Sequence, residues 1–362
     1  MSTRPELKAL TGARGIAAWL VVLFHLRFMM VGIGGANGPM RFGYLAVDFF
    51  FVLSGFVIWL TYADRLRGQG FGGIADFLKR RVARVWPLHV FMLACAVVFA
   101  LVIAIFHHAD WRQYPPAELP LHLLLLQNWG LTNQLSWNVP AWSISCELAA
   151  YLLFPLLAFA VDWRKLPSWA LILAAIGFAA FVYGVFAMLG DTSLGQSILT
   201  IGVLRCLGEF AIGTILCALW QRWREAPALP IFGATATGGL LLAAYVLGWI
   251  PQIAAMPLVF AALVLVLALT SGMRWNLLES APVHYLGEIS YATYLGHWML
   301  WMGFKLAFVH EHDLGWPLFA IFIALVFGAS IFLYHMVERP AQRWINGLTL
   351  PSIAGTKPAP AH

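Results

Sequence analysis

Charged residues are scarce in this chain. Its 362 residues include 22 Lys and Arg and 16 Asp and Glu, so charged residues make up only 10%, against about 25% in soluble globular proteins. This shortage, together with a mean hydropathy of +0.80, excludes an ordinary soluble enzyme, a disordered protein and a nucleic-acid-binding protein. The four cysteines all fall inside apolar stretches, which favours buried thiols over a disulfide framework.

Long apolar stretches fill most of the sequence. A transmembrane helix needs about 20 mostly apolar residues, and the chain contains ten such stretches. The sequence therefore predicts an all-α, polytopic membrane protein with about ten transmembrane helices, in which residues 1–350 form the membrane core and 351–362 form a flexible tail. The ten predicted spans are 10–31, 42–62, 85–106, 141–161, 168–189, 198–220, 230–249, 252–272, 285–308 and 315–337.

The positive residues are distributed unevenly between the two sides of the membrane. If the N-terminus is placed in the cytoplasm and the spans alternate, 17 of the 22 lysines and arginines fall on the cytoplasmic side. Cytoplasmic loops of membrane proteins carry such an excess. The sequence therefore predicts that both termini are cytoplasmic, and the net charge of +6 is a consequence of these loops.

Three ionisable side chains are predicted to lie at one depth in the membrane. His25, Asp48 and Glu147 each lie six residues inside the estimated outer end of a span, or about 9 Å at 1.5 Å per residue. Ionisable groups inside a bilayer are costly and usually functional. Because a carboxylate would orient the His25 ring and make it a better base, we predict that these three residues are catalytic. The structural alternative is a buried histidine bonded to a backbone carbonyl.

A cluster of cations precedes the third predicted span. Arg81 and Arg84 are three positions apart and share a helical face, which suits bidentate contacts with phosphates. Arg14 lies eleven residues before His25, about three turns and 16 Å along nearly the same face of the first span. From charge alone, the phosphates of a bound cofactor and anionic lipid headgroups remain alternatives.

Two further groups of polar residues lie within predicted spans. Arg205 and Glu209, at i and i+4, are predicted to form a structural ion pair within one helix. On the ninth span, Ser290, Tyr294 and His297 suit sugar hydroxyls and are predicted to bind substrate, with polar contact between helices as the alternative. No combination of residues predicts a metal site.

Six stretches of the sequence, taken in order, resemble the motifs of one family. Arg14 and His25 fit an Arg-x10-His motif, and Arg81 and Arg84 fit an Arg-x-x-Arg motif. The chain resembles the integral-membrane acyltransferase family 3 over nearly its whole length. The stretches are Glu6 to Gly15 with His25, Phe42 to Phe56, Arg80 to Pro87, Trp142 to Glu147, Leu286 to Trp298, and Glu338-Arg339-Pro340.

The resemblance implies a bacterial inner-membrane enzyme that uses cytoplasmic acyl-CoA, most often acetyl-CoA, to acylate a glycan or glycolipid acceptor. It also implies essential roles at Arg14, His25, Asp48, Arg81 and Arg84, and it favours a phosphate-bearing donor at the arginines. Some relatives continue into an extracytoplasmic hydrolase-like domain, which does not follow the motifs here. We therefore expect the membrane core, or a separate periplasmic partner, to complete the transfer.

We expect His25 either to remove a proton from the acceptor hydroxyl or to be acylated transiently itself. In both routes Asp48 orients His25, and Glu147 positions the acceptor or stabilises the site. The alternative function is a proton-coupled transporter or glycan exporter, in which His25, Asp48 and Glu147 form a proton relay. Transporters commonly contain inverted repeats, and the sequence contains no internal repeat, which favours the enzyme.

Overall fold

The computed structural model describes residues 7–30, 38–106, 111–274, 276–309 and 314–348. Across these ranges the chain is helical and contains no β-strand, which confirms the predicted all-α class. The predicted flexible tail, 351–362, lies outside the described residues. The α-helices are α1 (Lys8–Leu26), α2 (Ala46–Gln69), α3 (Gly72–Ile105), α4 (Leu119–Leu123), α5 (Ala141–Ala160), α6 (Ser168–Met188), α7 (Ile198–Trp223), α8 (Ala228–Val246), α9 (Gln252–Thr270), α10 (Ala281–Glu288), α11 (Ser290–Phe308), α12 (Trp316–Leu333) and α13 (Arg339–Gly347).

Nine helical segments of the described chain are long and apolar enough to cross a membrane. They coincide with nine of the ten predicted spans, so the polytopic membrane architecture is confirmed. The other predicted span, 285–308, corresponds to α10 and α11, which meet at Ile289. Helix α11 has 19 residues, but its Ser, Thr, Tyr, His and Lys side chains make it less apolar than the other nine. The cytoplasmic location of both termini stays a prediction.

Helix α7 lies at the centre of the bundle. Every residue from Gly208 to Trp220 is buried, as expected of a helix surrounded by protein. Helix α2 approaches α7 closely at Gly55, where an added Cβ would collide with the backbone of Phe210. Helix α8, by contrast, has no buried residue and lies at the periphery. Asp48 of α2 and Arg205 of α7 therefore face each other inside protein.

Helix α3 begins earlier than the predicted span 85–106. It starts at Gly72, directly after a turn in which Gly70 has a φ of 59°. Hydropathy locates the apolar part of a helix, whereas Lys and Arg are good helix formers outside it. As a result Arg81 and Arg84 lie on the helix itself, and their side chains point into the bundle rather than into a loop.

The connection between α3 and α5 enters the bundle. Gln127, Asn128 and Asn138 are buried, and the Asn138 side-chain amide donates to the carbonyl of Leu295 at 3.0 Å. Irregular backbone persists among membrane helices when protein groups satisfy its polar atoms. Helix α5 consequently begins inside the bundle, where Ala141 has no exposed surface.

Candidate active site

Helices α1, α2, α3, α5 and α11 surround a cavity of about 160 Å³. The predicted cofactor-binding residues Arg14, Arg81 and Arg84 all line it, and we call it the arginine cavity. Its other polar lining residues are Ser54, Ser143, Glu147, Tyr151, Ser290, Tyr291 and Tyr294. Arg81 and Arg84 therefore do share a helical face, as predicted, and this face lines the arginine cavity.

Arg14 is held where α1 meets the junction of α10 and α11. Its Nη2 donates to the carbonyl of Gly287 at 2.8 Å and its Nε to the hydroxyl of Ser290 at 3.0 Å. A Cβ at Gly287 would collide with the backbone of Thr11, so the glycine allows α1 to come close enough for these bonds. Ser290, which was predicted to bind substrate, thus lies on the cavity wall and positions Arg14.

Arg84 is paired with a carboxylate that sequence reasoning missed. Its Nη1 donates to Glu338, whose side chain is buried. Glu338 ends a π-helical segment, Tyr334–Glu338, that joins α12 to α13. Pro340 lacks the N–H that would continue an α-helix across this point, and such π segments often occur at functional sites. The available signal was the Glu338-Arg339-Pro340 motif at the end of the last predicted span.

Arg81 has no carboxylate partner among the described residues. Its Nη2 donates to the hydroxyl of Tyr62 at 3.2 Å, and its Nε is buried without a hydrogen-bond partner in the described chain. A buried guanidinium with an unused donor is costly unless a ligand completes it. Of the three cavity arginines, Arg81 is therefore the one most open to an anionic ligand.

Glu147 lies in the arginine cavity and not beside His25. Its carboxylate accepts from the hydroxyl of Ser54, and both residues line the same cavity as Arg14. The predicted common depth of Glu147 and His25 was wrong. The depth estimate placed residue 141 at the outer edge of the membrane, whereas α5 begins inside the bundle.

His25 lines a second cavity, of about 510 Å³, at the opposite end of α1 from Arg14. We call it the histidine cavity. The separation of Arg14 from His25 along α1 agrees with the spacing in the sequence. The cavity also contains two arginines from the segments that flank this end of α1 and α2. Its polar lining comprises His25, Arg27, Arg41, Tyr44, Ser193, Gln196, Arg205 and Tyr294.

The hydrogen bonds of His25 define which ring nitrogen is free. Its Nδ1 lies 3.0 Å from the carbonyl of Val21 and 3.0 Å from Nε2 of His297. The carbonyl can only accept, so Nδ1 of His25 carries the proton. His297 in turn has Nδ1 at 3.1 Å from the carbonyl of Thr293, which leaves its Nε2 as the acceptor. The Nε2 of His25 consequently has the lone pair that a base or nucleophile needs.

Asp48 does not contact His25. Arg205 donates to its carboxylate from Nε at 2.6 Å, and both side chains are buried. The predicted Asp48–His25 pair was therefore wrong, because α2 turns Asp48 toward α7. The predicted ion pair between Arg205 and Glu209 was wrong for the same reason, since Arg205 is occupied by Asp48.

Comparison with known proteins identifies the family. A family model described as an acyltransferase domain, Acyl_transf_3, matches residues 7–335. The chain belongs to acyltransferase family 3. It is 32% identical to the acyltransferase MdmB of Streptomyces mycarofaciens over 94% of this chain and 93% of that protein. It is 23% identical to the O-acetyltransferase OatA of Staphylococcus aureus over 93% of this chain and 57% of that protein. No solved structure matches it.

In this family 3 acyltransferase, Tyr294 separates the two cavities. Among the described residues it alone lines both of them. Its hydroxyl donates to the carbonyl of Pro140 at 3.0 Å and lies 2.7 Å from the hydroxyl of Ser143. Tyr294 was predicted to bind substrate; the structure places it between the two cavities, and its role in binding stays a prediction. His297, predicted to do the same, instead contacts His25.

Proposed function

We propose that this acyltransferase moves an acyl group, in the simplest case acetyl, from cytoplasmic acyl-CoA to a hydroxyl of a cell-surface or lipid-linked glycan. One observation carries the proposal. The two ends of α1 open into two cavities, one with arginines and one with a histidine base, and a single tyrosine stands between them. An enzyme that takes its donor from one side of a membrane and its acceptor from the other requires this arrangement.

The donor occupies the arginine cavity in this proposal. The excess of lysine and arginine orients this end of the bundle toward the cytoplasm of a bacterial inner membrane. Arg81, with its unused Nε, and Arg84 bind the phosphates of the donor, and Arg14 binds beside them. The slender pantetheine arm then extends along α1 toward His25, about 16 Å from Arg14.

The transfer takes place in the histidine cavity. The Nε2 of His25 removes the proton from the acceptor hydroxyl, and the hydroxyl oxygen attacks the thioester carbonyl. The C–O bond of the ester forms as the C–S bond breaks, and the proton on His25 neutralises the departing CoA thiolate. His297 keeps the proton of His25 on Nδ1 during this step. Asp48 acts indirectly, because it fixes Arg205 in the wall of the same cavity.

Two observations support the proposal that the acceptor is a glycan and that the acyl group is acetyl. The relative OatA is an O-acetyltransferase, and O-acetyl transfer is the reaction proposed here. The histidine cavity presents hydroxyl, amide and guanidinium groups together, as recognition of a polyhydroxylated molecule requires. Family membership supports the enzyme and not the proton-coupled transporter.

Inside-out membrane vesicles from the native host would test the proposal, because they contain the natural acceptor. Radiolabelled acetyl-CoA is added outside the vesicles, and the label in lipid-linked and polymeric glycan is measured. We expect labelling with the wild type and with His335→Ala, a matched control that lines neither cavity, and none with His25→Ala. Equal labelling by His25→Ala, or none by the wild type, would refute the proposed roles.

A further inference from the structure

We propose that the histidine cavity selects an acceptor that carries an anionic group, a carboxylate or a phosphate, near the hydroxyl to be acylated. The inference rests on the proposed function and specifies its acceptor. It comes from the charges of the cavity wall and from a groove that continues the cavity outward.

The wall of the histidine cavity has cations but no carboxylate. Arg27, Arg41 and Arg205 line it, and no Asp or Glu does so among the described residues. Arg205 is neutralised by buried Asp48. Arg27 and Arg41 form no ion pair within the described chain, so the cavity has two uncompensated positive charges. Such a cavity attracts anions and disfavours cations.

These arginines lie on the predicted outer side of the membrane, where the chain has few lysines and arginines. Only five of the 22 lysines and arginines fall on the predicted outer side, where cations are normally depleted. Three of the five, Arg27, Arg41 and Arg205, line one cavity beside the proposed base. A function at this cavity accounts for their presence better than membrane topology, which works against them.

Arg27 is held rigidly in place. Its Nη1 donates to the carbonyl of Phe24 at 2.6 Å, and its guanidinium lies 3.6 Å from the ring centre of Phe24 and 3.9 Å from that of Phe28. Stacking on aromatic faces fixes the plane of the guanidinium. Its remaining donors are thereby pre-oriented for a planar anion, such as a carboxylate, at little entropic cost.

Arg41 stands where the cavity meets a groove. This groove has a volume of about 630 Å³ and shares Arg41, Tyr44 and Ser193 with the histidine cavity. It is also lined by Tyr245 and by Trp249, which is 76% exposed. Exposed aromatic rings beside hydroxyls suit the apolar faces of sugar rings. The acceptor thus extends from the groove into the cavity, with its anionic group passing Arg41.

Binding measured without any acyl donor tests this inference separately from transfer. The full-length protein in lipid nanodiscs is titrated calorimetrically with methyl β-D-glucuronide, glucose 1-phosphate and neutral methyl β-D-glucoside. We expect at least one anionic probe to bind about tenfold more tightly than the neutral probe. The preferred probe then indicates whether the natural anion is a sugar carboxylate or a phosphate.

The variants assign the preference to the cavity. We expect Arg27→Gln and Arg41→Gln each to weaken the anionic probe about tenfold without changing the neutral probe, and Arg41→Lys to keep most of the preference. Lys305→Gln removes an exposed cation that is on the same predicted side but does not line this cavity, and it should change nothing. Equal binding of all three probes, binding of none, or a preference that survives both glutamine variants overturns the inference. Absence of transfer despite anion-selective binding would contradict the proposed function alone.

Discussion

The proposed base at His25 is oriented by the carbonyl of Val21 and by one side chain, His297. A histidine pair is an unusual way to orient a base, because a neutral imidazole supplies hydrogen-bonding direction without the negative charge of a carboxylate. In a membrane this choice avoids burying a further charge. The atom at the position of His297 Nε2 therefore needs to accept a hydrogen bond from His25, and this matters more than the charge of the group.

Replacement of His297 tests this positioning role. His297→Leu leaves Nδ1 of His25 with only the carbonyl of Val21, so we expect kcat to fall about 10- to 100-fold while the KM for acyl-CoA is unchanged. His297→Gln supplies another acceptor and should retain a large part of kcat. Initial rates over a range of acyl-CoA concentrations measure both constants. An equal loss in the two variants would show that His297 does not act through its acceptor nitrogen.

The arginines of the arginine cavity differ in whether a carboxylate already occupies their guanidinium groups. Arg81→Gln should weaken CoA binding by about tenfold or more, since charge-assisted hydrogen bonds contribute roughly 1.5–3 kcal/mol. Glu338→Gln should tighten CoA binding, because Glu338 competes with a phosphate for Arg84. Arg80→Gln is the matched control, as Arg80 is bonded to Asp76 at 3.0 Å. Calorimetry with CoA measures all three, and weaker binding in Glu338→Gln would contradict the competition.

At the scale of helices, the contact of α1 with α10 rests on a glycine. We expect Gly287→Ala to lower the thermal midpoint and the activity, because its Cβ meets the backbone of Thr11 and overpacking costs about 1–3 kcal/mol. Gly303→Ala on α11, with open space around the added methyl group, should be neutral or slightly stabilising. Thermal unfolding in detergent compares the two, and equal midpoints would show that α1 shifts without cost.

The connection between α3 and α5 is expected to loosen in acid. Burial lowers the pKa of His122 on α4 from its ordinary 6.5 to about 4. The opened form binds a proton below pH 6.5 and the packed form does not, so packing is fully stable above that pH and weakens as the pH falls toward 4. The loss is about 2 kcal/mol at pH 5.

Hydrogen exchange over residues 119–138 measures this loosening once intrinsic rates at each pH are taken into account. His122→Gln, which does not titrate and can still bond the hydroxyl of Ser136, is the control and should show little difference between pH 7 and pH 5. The same acid response in both proteins would assign the effect to another group.

Helical spans were predictable from the sequence because long apolar runs have few alternatives in a membrane. The partners of Asp48 and Glu147 were not. Asp48 faces Arg205 because of how α2 packs against α7. The direction of Glu147 depends on the start of α5 inside the bundle, and this start follows from the buried connection before it. That connection contains Leu125 and Trp137 with φ values of 58° and 56°, which are rare for such residues and are stabilised by long-range contacts. Glu338 likewise reaches Arg84 through a π-helical turn that no periodic pattern indicates.

Across the whole molecule, the two cavities make the protein asymmetric about Tyr294. The arginine cavity has its cations partly balanced by Glu147 and Glu338, whereas the histidine cavity has none of its lining cations balanced except Arg205. A continuous passage between them would allow small ions and water to cross the membrane. The tyrosine must therefore act as a barrier when no acyl arm is present, and its two hydroxyl contacts hold it against the start of α5.

Thiol labelling tests this barrier without substrate. In a background with the four native cysteines replaced, Val139→Cys places a thiol in the histidine cavity, and a charged, membrane-impermeant methanethiosulfonate is applied to inside-out vesicles. We expect slow labelling with Tyr294 intact. In Tyr294→Ala the ring that separates the cavities is gone, so an open passage is populated more often and we expect labelling to be faster by about tenfold or more. Tyr294→Phe keeps the ring and should label at an intermediate rate. Tyr291→Ala enlarges only the arginine cavity and is the control. If Tyr294→Ala labels no faster than Tyr291→Ala, the barrier lies elsewhere along α11, and the path of the acyl arm must be drawn around Tyr294 and not through it.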